Sequence, residues 1–98
     1  MEELWTRLEK QIEEYLTKKV RSLGGMSIKL TSLIGIPDRL VLLPDGRCVF
    51  VELKAPGESP RKIQLKRMQQ LRGLGFKVYI VDSYERVDEV IGNALQTT

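Results

Sequence analysis

The sequence predicts an α/β domain in which helices flank a mixed four-stranded sheet. The first reason is the order of periodic segments along the chain, which is helix, three strands, helix, strand and helix. The second reason is that a helix connects the third strand to the fourth, which makes those two strands parallel and their connection right-handed. A chain of 98 residues has the size of one domain, so residues 1–98 are assigned to a single domain.

The first helix is predicted over residues 2–22, because apolar side chains recur there every three to four positions. Gly24 and Gly25 follow and end the helix, since glycine adopts the left-handed conformation at a helix C-terminus without steric cost. The apolar positions are Leu4, Leu8, Ile12, Tyr15, Leu16, Val20 and Leu23.

Three strands are predicted next, as an antiparallel meander. Residues 26–30, "MSIKL", alternate between apolar and polar side chains as a half-buried strand does. A hairpin is predicted around the turn signal Pro44-Asp45-Gly46. Its two strands are residues 39–43, "RLVLL", and residues 47–53, "RCVFVEL".

The second half of the chain is predicted to add a helix, a strand and a last helix. The helix covers residues 60–74 and ends at Gly75, and "FKVYIV" forms the fourth strand. Ser83 is suited to cap the N-terminus of the last helix. The residues expected to bury apolar side chains from these two helices are Leu65, Met68, Leu71, Val87, Val90, Ile91, Ala94 and Leu95.

The composition excludes several classes of enzyme. The chain contains no histidine, so a Ser-His-Asp or Cys-His nucleophile and a His-Glu-x-x-His metalloprotease site cannot form. Its one cysteine, Cys48, can form neither an intramolecular disulfide nor a Cys/His zinc site, which fits a reducing, cytosolic compartment. No apolar run has the length of a membrane span, so no membrane partner is expected. Catalysis is therefore expected from carboxylates and lysine, with a hard, oxygen-binding metal ion as the expected cofactor.

Positive charge is concentrated in the middle of the chain. Residues 54–77 contain seven Lys and Arg side chains against one acidic residue, Glu58, whereas the two ends of the chain are acidic. A polyanion bound on one face would account for this distribution, and a solvated helix face is the alternative.

The hairpin is predicted to bring charged side chains together at one end. If Leu43 and Arg47 flank the turn as a pair, Asp38 and Glu52 lie directly opposite each other, with Cβ atoms about 4.5–5.5 Å apart. Lys54 follows Glu52 by two residues and therefore lies on the same face of its strand. Leu53, between them, points into the core.

Two carboxylates at this distance repel each other unless a positive charge lies between them. A divalent cation is the simplest solution, and the few protein oxygens available suit Mg²⁺ or Mn²⁺ with several waters. The structural alternative is that Asp38 caps a loop and Glu52 pairs with Lys54 on a solvated strand. That alternative is the less favourable one, because the residues around Glu52 read as buried on both faces and a purely structural ion pair is costly there.

These residues also carry a family resemblance. Pro37-Asp38 followed by Glu52-Leu53-Lys54 resembles the pattern of the PD-(D/E)XK nuclease superfamily. The run "GIPDRLVLLPDG", the segment "VELKAPG" and the glutamine at the start of the next helix are similar to the VRR-NUC group, which includes small phage-encoded nucleases and the catalytic domain of the Fanconi-associated nuclease. The resemblance covers roughly residues 9–83 and implies a restriction-endonuclease-like αβββαβα core.

The resemblance implies roles for individual residues. Asp38 and Glu52 would bind the metal together with the backbone carbonyl of Leu53. Lys54 would orient or activate the attacking water and stabilise the charge that develops on the phosphate. Gln64 would contact the site from the start of the second helix.

A glutamate on the first helix usually completes the site in this family. Glu9 and Glu13 lie four residues apart on one helical face, and both fit. The sequence leaves this choice open. Arg61 stands three residues before Gln64, where the family often has Ser or Arg. The departure from the family is that the expected helix cap, Ser59, stands five residues before Gln64.

The function implied by the resemblance is metal-dependent, structure-specific endonuclease activity that hydrolyses phosphodiester bonds in DNA. Small phage members resemble Holliday junction resolvases, so a homodimer that acts on four-way junctions in the cytosol of a bacterial host is expected. A flap or nicking nuclease and a non-catalytic nucleic-acid-binding module of the same fold are the alternatives. The side chains expected to reach DNA phosphates are Lys29, Arg61, Lys62 and Lys66.

Overall fold

The computed structural model describes residues 2–96, with side chains from residue 8 onwards, so the apolar position Leu4 lies outside the described side chains. The predicted order of elements and the fold class are confirmed. The elements are α1 (Glu2–Ser22), β1 (Met26–Lys29), β2 (Arg39–Leu43), β3 (Arg47–Leu53), α2 (Lys62–Gly73), β4 (Val78–Val81) and α3 (Tyr84–Gln96). None of the helices described is long and apolar enough to cross a membrane.

The four strands form one mixed sheet in the order β1-β2-β3-β4. The first three strands are antiparallel neighbours, and β3 pairs in parallel with β4 through the crossover helix α2. This topology places the end of β3, where Glu52 and Leu53 lie, between β4 and the segment that enters β2.

The hydrophobic core lies between one face of the sheet and the two outer helices, α1 and α3. Odd-numbered residues of β2, β3 and β4 face it, because side chains alternate along a strand. The core consists of Ile12, Leu16, Val20, Val41, Leu43, Val49, Val51, Leu53, Val81, Val87, Val90, Ile91 and Ala94. Even-numbered strand residues such as Glu52 face the opposite side, where α2 packs with Gln64 and Met68 buried.

The predicted burial of Leu65 is wrong. Its side chain is 44% exposed, whereas Met68 is buried and Leu71 half-buried as expected. The reason is that α2 presents Gln64 and Met68, four residues apart on one face, to the sheet. Leu65 lies about 100° further round the helix and therefore points to solvent.

The ends of the helices follow the predicted chemistry in two places. The Ser83 hydroxyl accepts a hydrogen bond from the Arg86 amide (3.0 Å), which confirms Ser83 as the cap of α3. Helix α2 ends at Gly73, Leu74 is its C-cap, and Gly75 follows with φ +96°, where the Phe76 amide donates to the Leu71 carbonyl (3.0 Å). This bond holds Phe76 in the helix terminus, and β4 accordingly begins at Val78 and not at residue 76.

Two glycines are expected to respond in opposite directions to replacement by alanine. A Cβ on Gly25 would overlap the Leu42 carbonyl oxygen of the neighbouring strand, whereas a Cβ on Gly92, inside α3, would meet nothing within 4 Å. We expect Gly25→Ala to lower the free energy of unfolding by about 2 kcal/mol and Gly92→Ala to raise it by about 0.5–1 kcal/mol. Urea unfolding midpoints measure both, and equal midpoints for the two variants would contradict the close approach at Gly25.

Candidate active site

The hairpin places Asp38 beside the end of β3. The register pairs Leu43 with Arg47 and Arg39 with Val51, as predicted, so Asp38 follows in line opposite Glu52. The turn closes without slipping the register because Asp45 adopts a left-handed conformation, with φ 67°. Asp38 lies just outside β2, and its Oδ2 accepts a hydrogen bond from the Leu53 amide (2.7 Å). This bond ties the loop before β2 to β3.

Glu52 is completely buried, and only one of its two carboxylate oxygens is satisfied. Its Oε2 accepts a hydrogen bond from Gln64 Nε2 (2.7 Å) and lies 3.2 Å from Lys54 Nζ. Its Oε1 is buried and has no hydrogen-bond partner among the described residues. Burying a carboxylate oxygen in this way is costly unless a ligand meets it, so Oε1 is a candidate ligand atom.

Three carboxyl groups at this end of the sheet hold their protons more tightly than usual. Burial, and then the negative charge of Asp38, raise the pKa of Glu52 to about 7. Burial also raises the pKa of Asp38, although the Leu53 amide and the positive charge of Lys54 offset part of this effect. The pKa of Glu9 is raised by burial and by the charge of Asp38. Burial is thus the main cause of all three shifts, and neighbouring negative charge adds to it.

Gln64 reaches Glu52 because it also closes the first turn of α2. Its Oε1 accepts a hydrogen bond from the Arg61 amide (2.7 Å), and its Nε2 donates to Glu52. The residue at the N-cap is therefore Arg61, and the expectation that Ser59 caps this helix is wrong. A glutamine that bonds its own N-cap has little rotational freedom, so its amide is held towards the carboxylate.

The two glutamates of α1 have different surroundings. Glu13 Oε2 is bound by Arg39, with contacts of 3.2 Å to Nε and 3.1 Å to a terminal guanidinium nitrogen. Glu9 instead faces negative charge, because Asp38 and Glu58 both add to the rise in its pKa that burial begins. Both glutamates lie near Asp38, because the charge of Glu13 also helps to raise the pKa of Asp38, but only Glu13 forms an ion pair with another described residue.

The four predicted phosphate-binding side chains are all exposed, and they lie on two elements next to these carboxyls. Lys29 ends β1 opposite Arg39, and its positive charge is close enough to offset part of the burial effect on the pKa of Asp38. Arg61, Lys62 and Lys66 lie at the start of α2, on either side of the buried Gln64 in the sequence. The charge of Lys29 therefore reaches the carboxyls, whereas Lys62 and Lys66, each two residues from Gln64, lie about 160° round α2 from it, on the face turned away from Glu52.

Comparison with known proteins places the chain in a family. No protein-family model matches it. It is 46% identical over 79 residues to "Putative nuclease p44" of Acyrthosiphon pisum secondary endosymbiont phage 1, a match that covers 79% of this chain and 85% of that protein. A solved structure named "VRR_NUC domain" superposes with a TM-score of 0.80 at 34% identity, over 86% of this chain and 94% of that one. The chain belongs to the VRR-NUC nuclease family.

Membership in the VRR-NUC family confirms the resemblance predicted from Pro37-Asp38 and Glu52-Leu53-Lys54. It also establishes the class of activity, which is that of a nuclease, a nucleic-acid hydrolase. The site around Asp38 and Glu52 lies within this shared fold, at the end of β3 where strand, loop and helix meet.

Two side chains of this VRR-NUC domain were not anticipated as parts of the site. Arg39 holds Glu13 and also donates to the Ser27 carbonyl (3.1 Å), which braces β1 against β2. Glu58 accepts a hydrogen bond from the Ala55 amide (3.1 Å), and this turn brings its charge towards Glu9. The sequence offered a signal for Arg39, which directly follows Asp38, but none for Glu58.

The residues of this VRR-NUC domain fit a divalent cation that completes its ligand shell with water. Within the described part of the chain, no three carboxylate or cysteine side chains are grouped closely enough to enclose a metal by themselves. The buried, unpartnered Oε1 of Glu52 nevertheless matches the need of a cation for an oxygen ligand. Mg²⁺ and Mn²⁺ are suited to such a site, because they are usually held by one or two carboxylates and several waters.

Proposed function

We propose that this nuclease is a Mg²⁺- or Mn²⁺-dependent DNA endonuclease that cleaves branched DNA such as a four-way junction, as a homodimer in the bacterial cytosol. The observation that carries the proposal is the buried Glu52, whose Oε1 lacks a partner within the described residues while Lys54 and Gln64 hold its Oε2. Buried carboxylate oxygens without a partner are rare, so one at this position fits a metal ligand.

The metal would be held by Asp38, Glu52 and the Leu53 carbonyl, and Glu9 of α1 would act through a bound water, because no three carboxylates are grouped closely enough within the described residues to ligate one ion directly. Glu13 is less suited because Arg39 already binds its carboxylate. A bound divalent cation would polarise the phosphodiester and lower the pKa of a water. The remaining contributions come from the side chains themselves.

Lys54 is proposed to act on the reacting phosphate or on the attacking water. Its ammonium is held in a buried position by Glu52, 3.2 Å away, so its charge acts with little screening by solvent. Gln64 is proposed as a positioning residue, since its amide holds one oxygen of Glu52 while its own carbonyl is fixed by the Arg61 amide. A Glu52 fixed through its Oε2 would leave its Oε1 available to the metal.

The preference for branched DNA rests on symmetry. Two copies related by a two-fold axis would match the two-fold symmetry of a four-way junction. The edge strand β1 offers a place for self-association, because Met26 is 61% exposed and Ile28 37% exposed on the same face. Apolar side chains exposed together on an edge strand favour contact with another chain.

The decisive experiment compares three DNA substrates with and without Mn²⁺. A junction resolvase cuts the four-way junction at paired positions in opposing strands, and its mass in solution is about twice that of the chain. Cleavage of a flap or of supercoiled plasmid, without paired cuts in the junction, would favour the flap or nicking nuclease. Binding to DNA without cleavage in Mg²⁺ and Mn²⁺ would favour the non-catalytic module.

Divalent metal is expected to raise the melting temperature of the protein, because only the folded state presents the site. Asp38→Asn removes a charged ligand and should abolish the rise. Asp45→Asn is the matched control, since Asp45 lies in the exposed hairpin turn and asparagine tolerates its left-handed conformation. Thermal scans in MnCl₂ and in EDTA provide the measurement, and a rise in Asp38→Asn equal to that of the wild type would show that the metal binds elsewhere.

Charge reversal is expected to weaken DNA binding only on the basic side of the molecule. The double variant Lys62→Glu, Lys66→Glu should bind a four-way junction more weakly and with a smaller salt dependence, because each lost phosphate contact lowers the salt slope by about one. The control is Glu85→Lys, Glu89→Lys on α3, which should retain or exceed wild-type affinity. Titrations at several salt concentrations measure both, and equal losses in the two double variants would contradict this placement of the DNA.

A further inference from the structure

The loop between β1 and β2 displays two large apolar side chains at its tip. Ile34 is 76% exposed, which is the highest value among the large hydrophobic residues described, and its neighbour Leu33 is 47% exposed. Apolar side chains that project singly from a surface are common, but two adjacent ones at a loop tip beside a proposed active site require an explanation.

The loop is braced along its length. Its base is closed by the Leu30 amide, which donates to the Asp38 carbonyl (2.9 Å). Its tip is held to α2, because Arg67 Nε donates to the Ile34 carbonyl (2.9 Å). Gly35, with φ +82°, lies so close to Ile63 of α2 that a Cβ would come within 2.8 Å of it. The side chain of Ile34 is therefore presented from a fixed backbone.

The position of the loop relates this tip to the DNA. The loop ends at Asp38, which is tied to Leu53 at the proposed site, and it rests on the part of α2 that carries Gln64. Two cations border it, with the exposed Lys29 at its start and Arg67 of α2 bonded to the Ile34 carbonyl at its tip. An apolar tip between cations is complementary to an opened base step, whose bases are apolar and whose flanking phosphates are negative.

We propose that Ile34, with Leu33 beside it, is a wedge that packs against unstacked bases at the branch point of the DNA substrate. The inference rests on the proposed function and names the part of the substrate that the loop contacts. Insertion of an apolar side chain between bases must unstack them, and this costs less at a branch, where stacking is already interrupted, than in a continuous duplex. The wedge would thus favour branched over linear DNA and position a phosphate near Asp38.

Cleavage kinetics test the wedge with Ile34→Ala and two companion variants. Ile34→Ala should lower kcat/KM for the preferred branched substrate by about tenfold, as expected when about 1.4 kcal/mol of binding to the substrate is lost, and Ile34→Leu should restore most of it. Leu74→Ala is the matched control, because Leu74 is 74% exposed at the far end of α2. Equal kcat/KM values for Ile34→Ala and Leu74→Ala would overturn the proposal.

A binding experiment keeps the test independent of cleavage. With 2-aminopurine at the branch point and Lys54→Ala as the background, bound protein should raise the fluorescence by unstacking the base, and adding Ile34→Ala should remove at least half of the rise. No rise in the Lys54→Ala background would overturn the wedge even if the wild type cleaves DNA. Conversely, a rise in fluorescence that depends on Ile34 would support the wedge even if the wild type cleaves none of the substrates. The absence of cleavage would then contradict the proposed function and leave the wedge intact.

The oligomeric state decides between DNA and a second copy as the partner of the loop tip. Sedimentation of Ile34→Ala should show the same mass as the wild type, because the wedge contacts DNA. A dimer that becomes a monomer in this variant would mean that the tip is a protein interface, and the proposal would be wrong.

Discussion

Replacing Lys54 by alanine is expected to lower kcat by about 100- to 1,000-fold, which is the usual effect of removing one preorganised group that stabilises the charge of a transition state. Lys54 is buried, and its ammonium lies 3.2 Å from Glu52, at the carboxyl end of β3. A charge held there acts on the reacting groups with little solvent screening. Metal binding and DNA binding should be largely retained.

The matched control for Lys54 is Lys62→Ala, an exposed lysine on α2. This variant should lose DNA affinity modestly and keep its kcat, since it is proposed to contact a phosphate outside the reacting centre. Single-turnover cleavage at saturating Mn²⁺ separates chemistry from binding. If Lys54→Ala cleaves at the wild-type rate, the role given to Lys54 is wrong.

Glu52→Gln is expected to abolish cleavage and to change how stability depends on pH. The pKa of Glu52 is raised from 4.5 to about 7, mainly by burial, so between these values the folded protein holds a proton that the unfolded chain releases. The unfolding free energy of the metal-free protein should therefore fall as pH rises from 4.5 to 7. For a shift of this size, the fall is on the order of 3 kcal/mol. Glutamine cannot ionise and should remove this part of the fall.

The measurement is chemical unfolding in EDTA at intervals from pH 5 to pH 8. Asp38 and Glu9, whose pKa values are also raised, contribute a fall of the same sign, so the difference between wild type and Glu52→Gln isolates Glu52. Glu14→Gln, on the exposed side of α1, makes the same chemical change elsewhere and should retain cleavage. Parallel stability curves for wild type and Glu52→Gln would contradict a tightly held proton on Glu52.

The hydrogen bond from Gln64 to Glu52 shows that the sequence can predict which residue contacts the site without predicting which hydrogen bonds position it. A glutamine near the start of a helix was expected at the site, and the resemblance supplied that expectation. The position of the Gln64 side chain depends on its hydrogen bond from the Arg61 amide. Arg61, and not the expected Ser59, is the N-cap of the helix. Helix boundaries are decided by small differences in capping energy, which tertiary packing readily overrides.

The choice between Glu9 and Glu13 shows what a helical pattern leaves undetermined. Both residues lie on one face of α1, so periodicity treats them alike. They differ because Arg39, from a strand far away in the sequence, binds Glu13. The exposure of Leu65 and of Ile34 has the same origin, since burial depends on which face meets a neighbour and not on the apolar character of the residue.

The sequence by itself determined the order of elements, the hairpin register and the meeting of Asp38, Glu52 and Lys54 at one end of β3. These follow from strand alternation and from a short turn, which are interactions between residues close together in the chain. Only the tertiary structure decided that Glu52 is buried with an oxygen unsatisfied among the described residues, and that the loop to Asp38 is braced on α2. The reason is physical, because burial and desolvation arise only when elements distant in the sequence pack together.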